Sequence, residues 1–271
     1  MNRFAFVIVT CWLLFVVIHE LGDYSSAAIH LELILQAPSV QQILGYDELG
    51  RSVLRRLLEG ASVSFYIAVS VVSLSFLIGT GIGLLAAWYG GLVDKIITML
   101  IDIFMAFPGL LLAIALAGVL GPGIMNVVIA LVMTGWVSFA RLSRAQAMSI
   151  KAREHVLAAT AMGLGTVQLN IKHILPLVLA PLLVQLSFEM AGAVLAEATL
   201  SFLGLGVQAP HASWGQMIRA GVRYMLVAPH LVLAPGICLF LVILAMNILG
   251  DALSQRLDNL SRIKHTTGKT A

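Results

Sequence analysis

The chain has 271 residues, of which 60% are hydrophobic and only 11% charged, with a net charge of +3. Soluble domains carry about 25% charged residues, so a soluble enzyme and a soluble nucleic-acid binder are both excluded. Several apolar runs exceed the roughly 18 residues that cross a bilayer as a helix, and a transmembrane β-barrel would read instead as short alternating segments. The expectation is an all-α integral membrane protein.

Six spans are expected, at about 4–21, 63–88, 93–118, 123–142, 176–201 and 230–250. The first follows Arg3 and has the length of a signal-peptide core, but "DYSSAAIH" at 23–30 offers no clear small-x-small cleavage site, so an uncleaved span is favoured. Cys11 and Cys238 both lie in apolar runs and suggest no disulfide framework. In the second span "GTGIG" places Gly79 and Gly83 at the spacing that lets helix backbones approach closely, either within the chain or against another subunit. In the third, Pro108 removes a backbone donor and should kink the helix. The chain thus divides into residues 1–62 (first span and an external segment), a core of 63–258 with a polar loop at 143–175, and a tail of 259–271.

Orientation follows from the basic residues. With the N-terminus inside, Arg3, Lys95, Arg141, Arg144, Lys151, Arg153, Lys172, Arg256, Arg262, Lys264 and Lys269 are cytoplasmic, eleven of the 16 Lys and Arg. Arg51, Arg55, Arg56, Arg219 and Arg223 are then outside. Six spans put both termini and the 143–175 loop in the cytoplasm.

Several chemical-looking motifs fail. "TGKT" at 267–270 resembles the end of a phosphate loop, but position 263 is Ile where that loop needs Gly. "GLGVQA" at 204–209 has no βαβ setting, and "HELGD" at 19–23 lacks a second His. His155, His173, His211 and His230 show no ligand spacing. No nucleophile–base pair and no metal or cofactor site stands out, so the chain itself is not expected to be a catalyst.

The stretch "EHVLAATAMGLGTVQLNIKHILP", Glu154 to Pro176, interrupts this apolar background. Ala158, Ala159 and Ala161 predict a slim helix. Gly163 and Gly165 permit a sharp turn and a close backbone approach. A second short helix at about 166–174 follows, and Pro176 sits near the favoured first turn of the next span. Such a helix–turn–helix suits insertion into a groove on another protein; the physical alternative is a loop lying on the membrane surface.

This stretch resembles the EAA loop of binding-protein-dependent ABC importer permeases. The matches are Ala158, Ala159, Gly163, Leu175 and Pro176, with the Gly163-to-Pro176 spacing intact. Leu157 stands where the family usually has Glu, with Glu154 one helical turn earlier, and His173 stands where Ile is common. "LGYDELGRSVLRRLLEGASVS" at 44–64, "DIFMAFP" at 102–108, "EATLSFLGLGVQAPHASWGQMI" at 197–218 and "NILGDALSQRLD" at 247–258 are similar to one subfamily, the dipeptide, oligopeptide and nickel permeases, in their C-type subunit.

The resemblance implies a type I importer fold with a cytoplasmic coupling helix. It implies pairing with a homologous B-type permease, two ATPase subunits that carry the ATP and Mg, and an external solute-binding protein that delivers the substrate. The site would be the bacterial inner membrane, and the cargo di- or oligopeptides, with nickel or a metal chelate as the alternative. An ion-gradient-driven secondary transporter is the rival from another class; it would often show internal repeats, and none is visible.

Charges within spans are costly and usually face protein or water. Asp102, Gln185, Glu189 and Glu197 are therefore candidates for the pathway or its gate, against hydrogen bonding between helices or helix packing. Arg51, Arg55 and Arg56, with Asp47, Glu48 and Glu59 nearby, read as a solvated amphipathic helix or as a contact for the binding protein or partner permease. Trp214 is a candidate external contact or an interfacial anchor.

Overall fold

The structure, a computed structural model, describes residues 2–22, 27–40 and 42–267. The possible cleavage segment at 23–30 and the "TGKT" tail therefore lie partly outside the described residues. Among the described residues ten α-helices follow one another: α1 (Asn2–Leu21), α2 (Val53–Tyr89), α3 (Gly91–Met105), α4 (Gly109–Leu120), α5 (Ile124–Lys151), α6 (Glu154–Ala161), α7 (Thr166–Leu169), α8 (Leu175–Leu203), α9 (Trp214–Val222) and α10 (His230–Thr267). Among the described residues the only β pairing is an isolated bridge between Tyr46 and Ser52.

Among the described residues five helices are long and apolar enough to cross a membrane, and α3 with α4 makes a sixth if the bent pair is one span. The expected single span at 93–118 is broken by 85°. Pro108 supplies no N–H and disfavours helical geometry at Phe107, and α3 closes on Ala106, whose N–H reaches the carbonyls of Asp102 and Ile103. Three helices outrun their expected limits, α5 by running to Lys151 rather than 142. α2 begins at Val53 rather than 63, because Val53, Leu57 and Ala61 recur every four residues and are all buried. α10 continues past 250 to Thr267.

The junction before α8 also differs from expectation. Pro176 does not open a fresh helix. α7 passes through a π-helical turn at Asn170–Ile174 straight into α8, with Leu175 N–H bonded to the carbonyl of Asn170. In an α-helix the ring of Pro176 would press on the carbonyl four residues back; the wider turn just ahead of it gives that group room.

The chain forms two compact units. The first comprises Met1–Val71, Leu110–Leu131 and Met190–Ile248; the second comprises Val72–Gly109, Val132–Glu189 and Leu249–Ala271. In the first, the indole N–H groups of Trp12 and Trp214 donate to the α2 carbonyls of Ala61 and Leu57, both at 3.1 Å. Their rings lie 6.2 Å apart. Gly60 makes room for Trp214, since a Cβ there would lie 2.8 Å from the indole Cδ1.

In the second unit, α2 and α5 meet almost backbone to backbone. A Cβ at Gly79 would strike the carbonyl of Trp136 and the Cβ of Phe139, and one at Gly83 would strike Ser143 Oγ and the carbonyl of Ala140. Gly135 faces Ser75 in the same way. The close-approach spacing read in the sequence is thus used within the chain.

Candidate functional site

α6 starts after Arg153, with Glu154 in its first turn, where a carboxylate opposes the positive helix end. It ends in a Schellman motif: Gly163 N–H reaches the carbonyl of Thr160 at 3.0 Å and Leu164 N–H that of Ala159 at 3.3 Å. Gly163 takes φ +79°, which an L side chain resists. Nothing lies within 4 Å of a Cβ built on Gly163 or Gly165. Gly163 is therefore required by its backbone angle, while both glycines border open space. Gly165 precedes α7 and accepts from Leu169 N–H.

Helical spacing sorts the side chains of α6. Val156 and Ala159 are buried, and after the turn so are Leu169 and Ile174. Glu154, Leu157, Ala158, Ala161 and Met162 form the opposite stripe and are exposed, Leu157 by 56% and Met162 by 74%. Of the three alanines singled out in the sequence, Ala158 and Ala161 face outward and Ala159 packs inward. His173 and Leu175 are half-buried, and Pro176 is exposed. A largely apolar stripe on a short helix beside open glycines is a surface without a cover among the described residues.

α5 leads into this stretch and holds the corner between α2 and α3. Lys151, its last residue, donates to the final carbonyls of α2, Ala87 at 2.8 Å and Trp88 at 3.3 Å, with its ammonium 5.2 Å from the Trp88 ring. Arg144 grips Asp94 in the first turn of α3 with both Nε and Nη2, the latter at 2.7 Å. Between these two grips lie Gly90 and Gly91, both at positive φ.

Asp102 lies on the exposed side of α3, in an open depression of about 560 Å³ lined by Lys95, Thr98, Met99, Asp102, Ile103, Ala106 and Arg144. Lys95 and Asp102 are exposed and make no hydrogen bond or ion pair among the described residues. The sequence pointed to Asp102 but not to its neighbours; the polar positions Asp94, Lys95, Thr98 and Asp102 on an otherwise apolar helix were the available signal. Gln185 and Glu189 are half-buried and bond to each other along α8, Nε2 to Oε1 at 2.9 Å.

Glu197 is fully buried. Its two oxygens accept from Ser201 and Ser64, both at 2.8 Å. Ser213 accepts from Gln216 N–H and caps α9. Arg51 and Arg56 are also buried: Arg51 pairs with Asp47 at 2.7 Å and Glu48 at 2.9 Å, and Arg56 lies 3.4 Å from Asp47. Trp214 is 1% exposed. Of the four residues read as external contacts, Arg55 alone is exposed.

Residues 79–259 match the family described as binding-protein-dependent transport system inner membrane component. The chain belongs to this family. It is an inner-membrane permease component, not an enzyme, and this decides between the importer and the ion-driven carrier. It is 37% identical over 93% of its length, and 83% of the relative's, to the dipeptide transport system permease protein DppC of Alkalihalophilus pseudofirmus. A putative peptide transport system permease protein of Brucella suis is 42% identical over 85% of this chain and 78% of its own. The glutathione transport system permease protein GsiD of Escherichia coli is 39% identical over 82% and 73%. Among solved structures, an inward-facing form of the MetNI methionine ABC transporter aligns with a TM-score of 0.60 over 74% of this chain and 95% of that one, at 18% identity. At that identity the likeness concerns the fold, which is that of a type I importer permease with about six membrane helices.

Proposed function

We propose that this permease component forms half of the pathway of an ATP-driven importer for di- and oligopeptides or similarly sized solutes. The observation that carries the docking part of this reading is the exposed stripe of Glu154, Leu157, Ala158, Ala161 and Met162 on α6, ending at the open glycines 163 and 165. It lies within the residues that define the family. A homologous B-type permease completes the pathway, two ATPase subunits carry ATP and Mg, and an external binding protein delivers the cargo. Peptides take precedence over nickel because the relatives described above are named for peptides and glutathione.

Both termini and α6 face the cytoplasm in this reading, and the apolar outer faces of the spans meet lipid. Asp102, with Lys95, lines the pathway wall at the open depression on α3, since charges on a membrane helix are tolerated where they meet water or cargo. The Gln185–Glu189 pair belongs to the same pathway. Glu197 supports the structure by tying α8 to α2, and Arg55 is the external contact.

The test is copurification in mild detergent, comparing the native chain with Ala158→Trp. The residue is exposed, so the added bulk meets the partner rather than this chain. The native protein is expected to bring down an ATPase and a second permease; Ala158→Trp is expected to keep the permease and lose the ATPase at least tenfold. Equal ATPase recovery from both would overturn the docking site.

A further inference from the structure

Resting on that docking site, we propose that Arg144 and Lys151 are positioning residues that make the α2–α3 corner travel with the docking stretch. The corner is built to pivot. Gly90 and Gly91 have φ of +62° and +51°, and nothing lies within 4 Å of a Cβ built on either. No packing at the glycines fixes the angle there.

What fixes it is α5. On the α2 side, Lys151 binds the carbonyls of Ala87 and Trp88. The last carbonyls of a helix lack partners within it, and a cation there meets the negative end of the helix. On the α3 side, Arg144 holds Asp94 with two donors on one carboxylate, a geometry that resists rotation as well as separation. The two cations are seven residues apart, which places them on one face of α5 two turns from each other.

The same helix end leads into the docking stretch. Arg153 N–H bonds to the carbonyl of Ile150, and α6 begins at Glu154. A displacement of α6 therefore reaches Lys151 across three residues of chain. The seam of Gly79 and Gly83 against α5 already makes α2 and α5 one body. The Arg144–Asp94 pair adds α3, and with it the wall that carries Asp102. Without the two cations, α5 would move while the corner pivoted and the wall stayed behind.

The experiment reads uptake per ATP hydrolysed, in proteoliposomes of complex isolated through the ATPase, with a mixture of radiolabelled dipeptides and the binding protein. The variants are Lys151→Met, Lys151→Arg, Arg144→Met and the swap Asp94→Arg with Arg144→Asp. Lys151→Met and Arg144→Met are expected to retain the ATPase and basal hydrolysis but to lose uptake per ATP at least fivefold. Lys151→Arg and the swap are expected to recover at least half of it. A merely structural role would lower the yield of complex and leave this ratio at the native value; that result overturns the proposal. So would failure of both methionine variants to assemble, because the contacts would then belong to docking itself. If the native complex takes up no dipeptide, the peptide reading fails, and stimulation of ATP hydrolysis by the binding protein is scored against the same expectations. If the native chain brings down no ATPase, the docking reading fails instead.

Discussion

Glu197 shows how much one residue can hold together. Its carboxyl is buried and accepts from the hydroxyls of Ser64 on α2 and Ser201 on α8. Ser201 Oγ also accepts from Val207 N–H at 3.2 Å. Removing the carboxyl leaves the hydroxyl protons of Ser64 and Ser201, on two elements, without their acceptor, and each such group costs about 1–3 kcal/mol. Glu197→Ala is therefore expected to lose roughly 3 kcal/mol and Ser64→Ala about 1 kcal/mol, read as a lower melting temperature in detergent. An unchanged melting temperature for Glu197→Ala would refute the clustering. Glu197 reads in the sequence as lying at the end of a span, but its partners do not, because Ser64 lies 133 residues away. Arg51 and Arg56 misled in the opposite direction: a charge run usually marks a solvated face, yet both are buried against Asp47. Asp47 precedes Arg51 by four residues, so that pair was visible as a spacing; the burial was not.

At the scale of elements, the α2–α5 seam separates glycines that look alike in sequence. Gly81 has nothing within 4 Å of an added Cβ, whereas Gly83 would drive one into Ser143 Oγ and the carbonyl of Ala140. Gly81→Ala is expected to be neutral or to add up to about 1 kcal/mol, since glycine is a poor helix former. Gly83→Ala is expected to cost about 2 kcal/mol or more, the range for overpacking against groups that cannot yield. Parallel melts of the two variants decide this; equal values would mean that the seam is loose. Helix type and the break at Pro108 were legible from composition and from the missing proline N–H. The π-helical turn at Asn170–Ile174 was not, because proline at position 176 is compatible both with a helix start and with a widened turn. Choosing between them requires knowing that α7 is already helical on the other side.

For the whole molecule, the side of the membrane that α6 faces decides whether an ATPase can dock on it. The basic residues favour the cytoplasm: Arg141, Arg144, Lys151, Arg153 and Lys172 lie in the last turns of α5, beside α6 or in the turn before α8. Between α6 and the segment before α10, the chain passes through the single span Asn170–Leu203 and the short α9. Residues 162 and 226 should therefore lie on opposite sides. Both Met162 and Leu226 are well exposed, at 74% and 97%, so a cysteine at either position can react without disturbing the core. With Cys11 and Cys238 first replaced by alanine, Leu226→Cys is expected to react with a membrane-impermeant maleimide in intact spheroplasts. Met162→Cys is expected to react only in inverted vesicles, and to be protected when the ATPase is bound. Labelling of both positions from the same side would break the span assignment of α8. The reverse pattern would keep the spans but put the docking stretch outside the cell, where no ATPase could reach it.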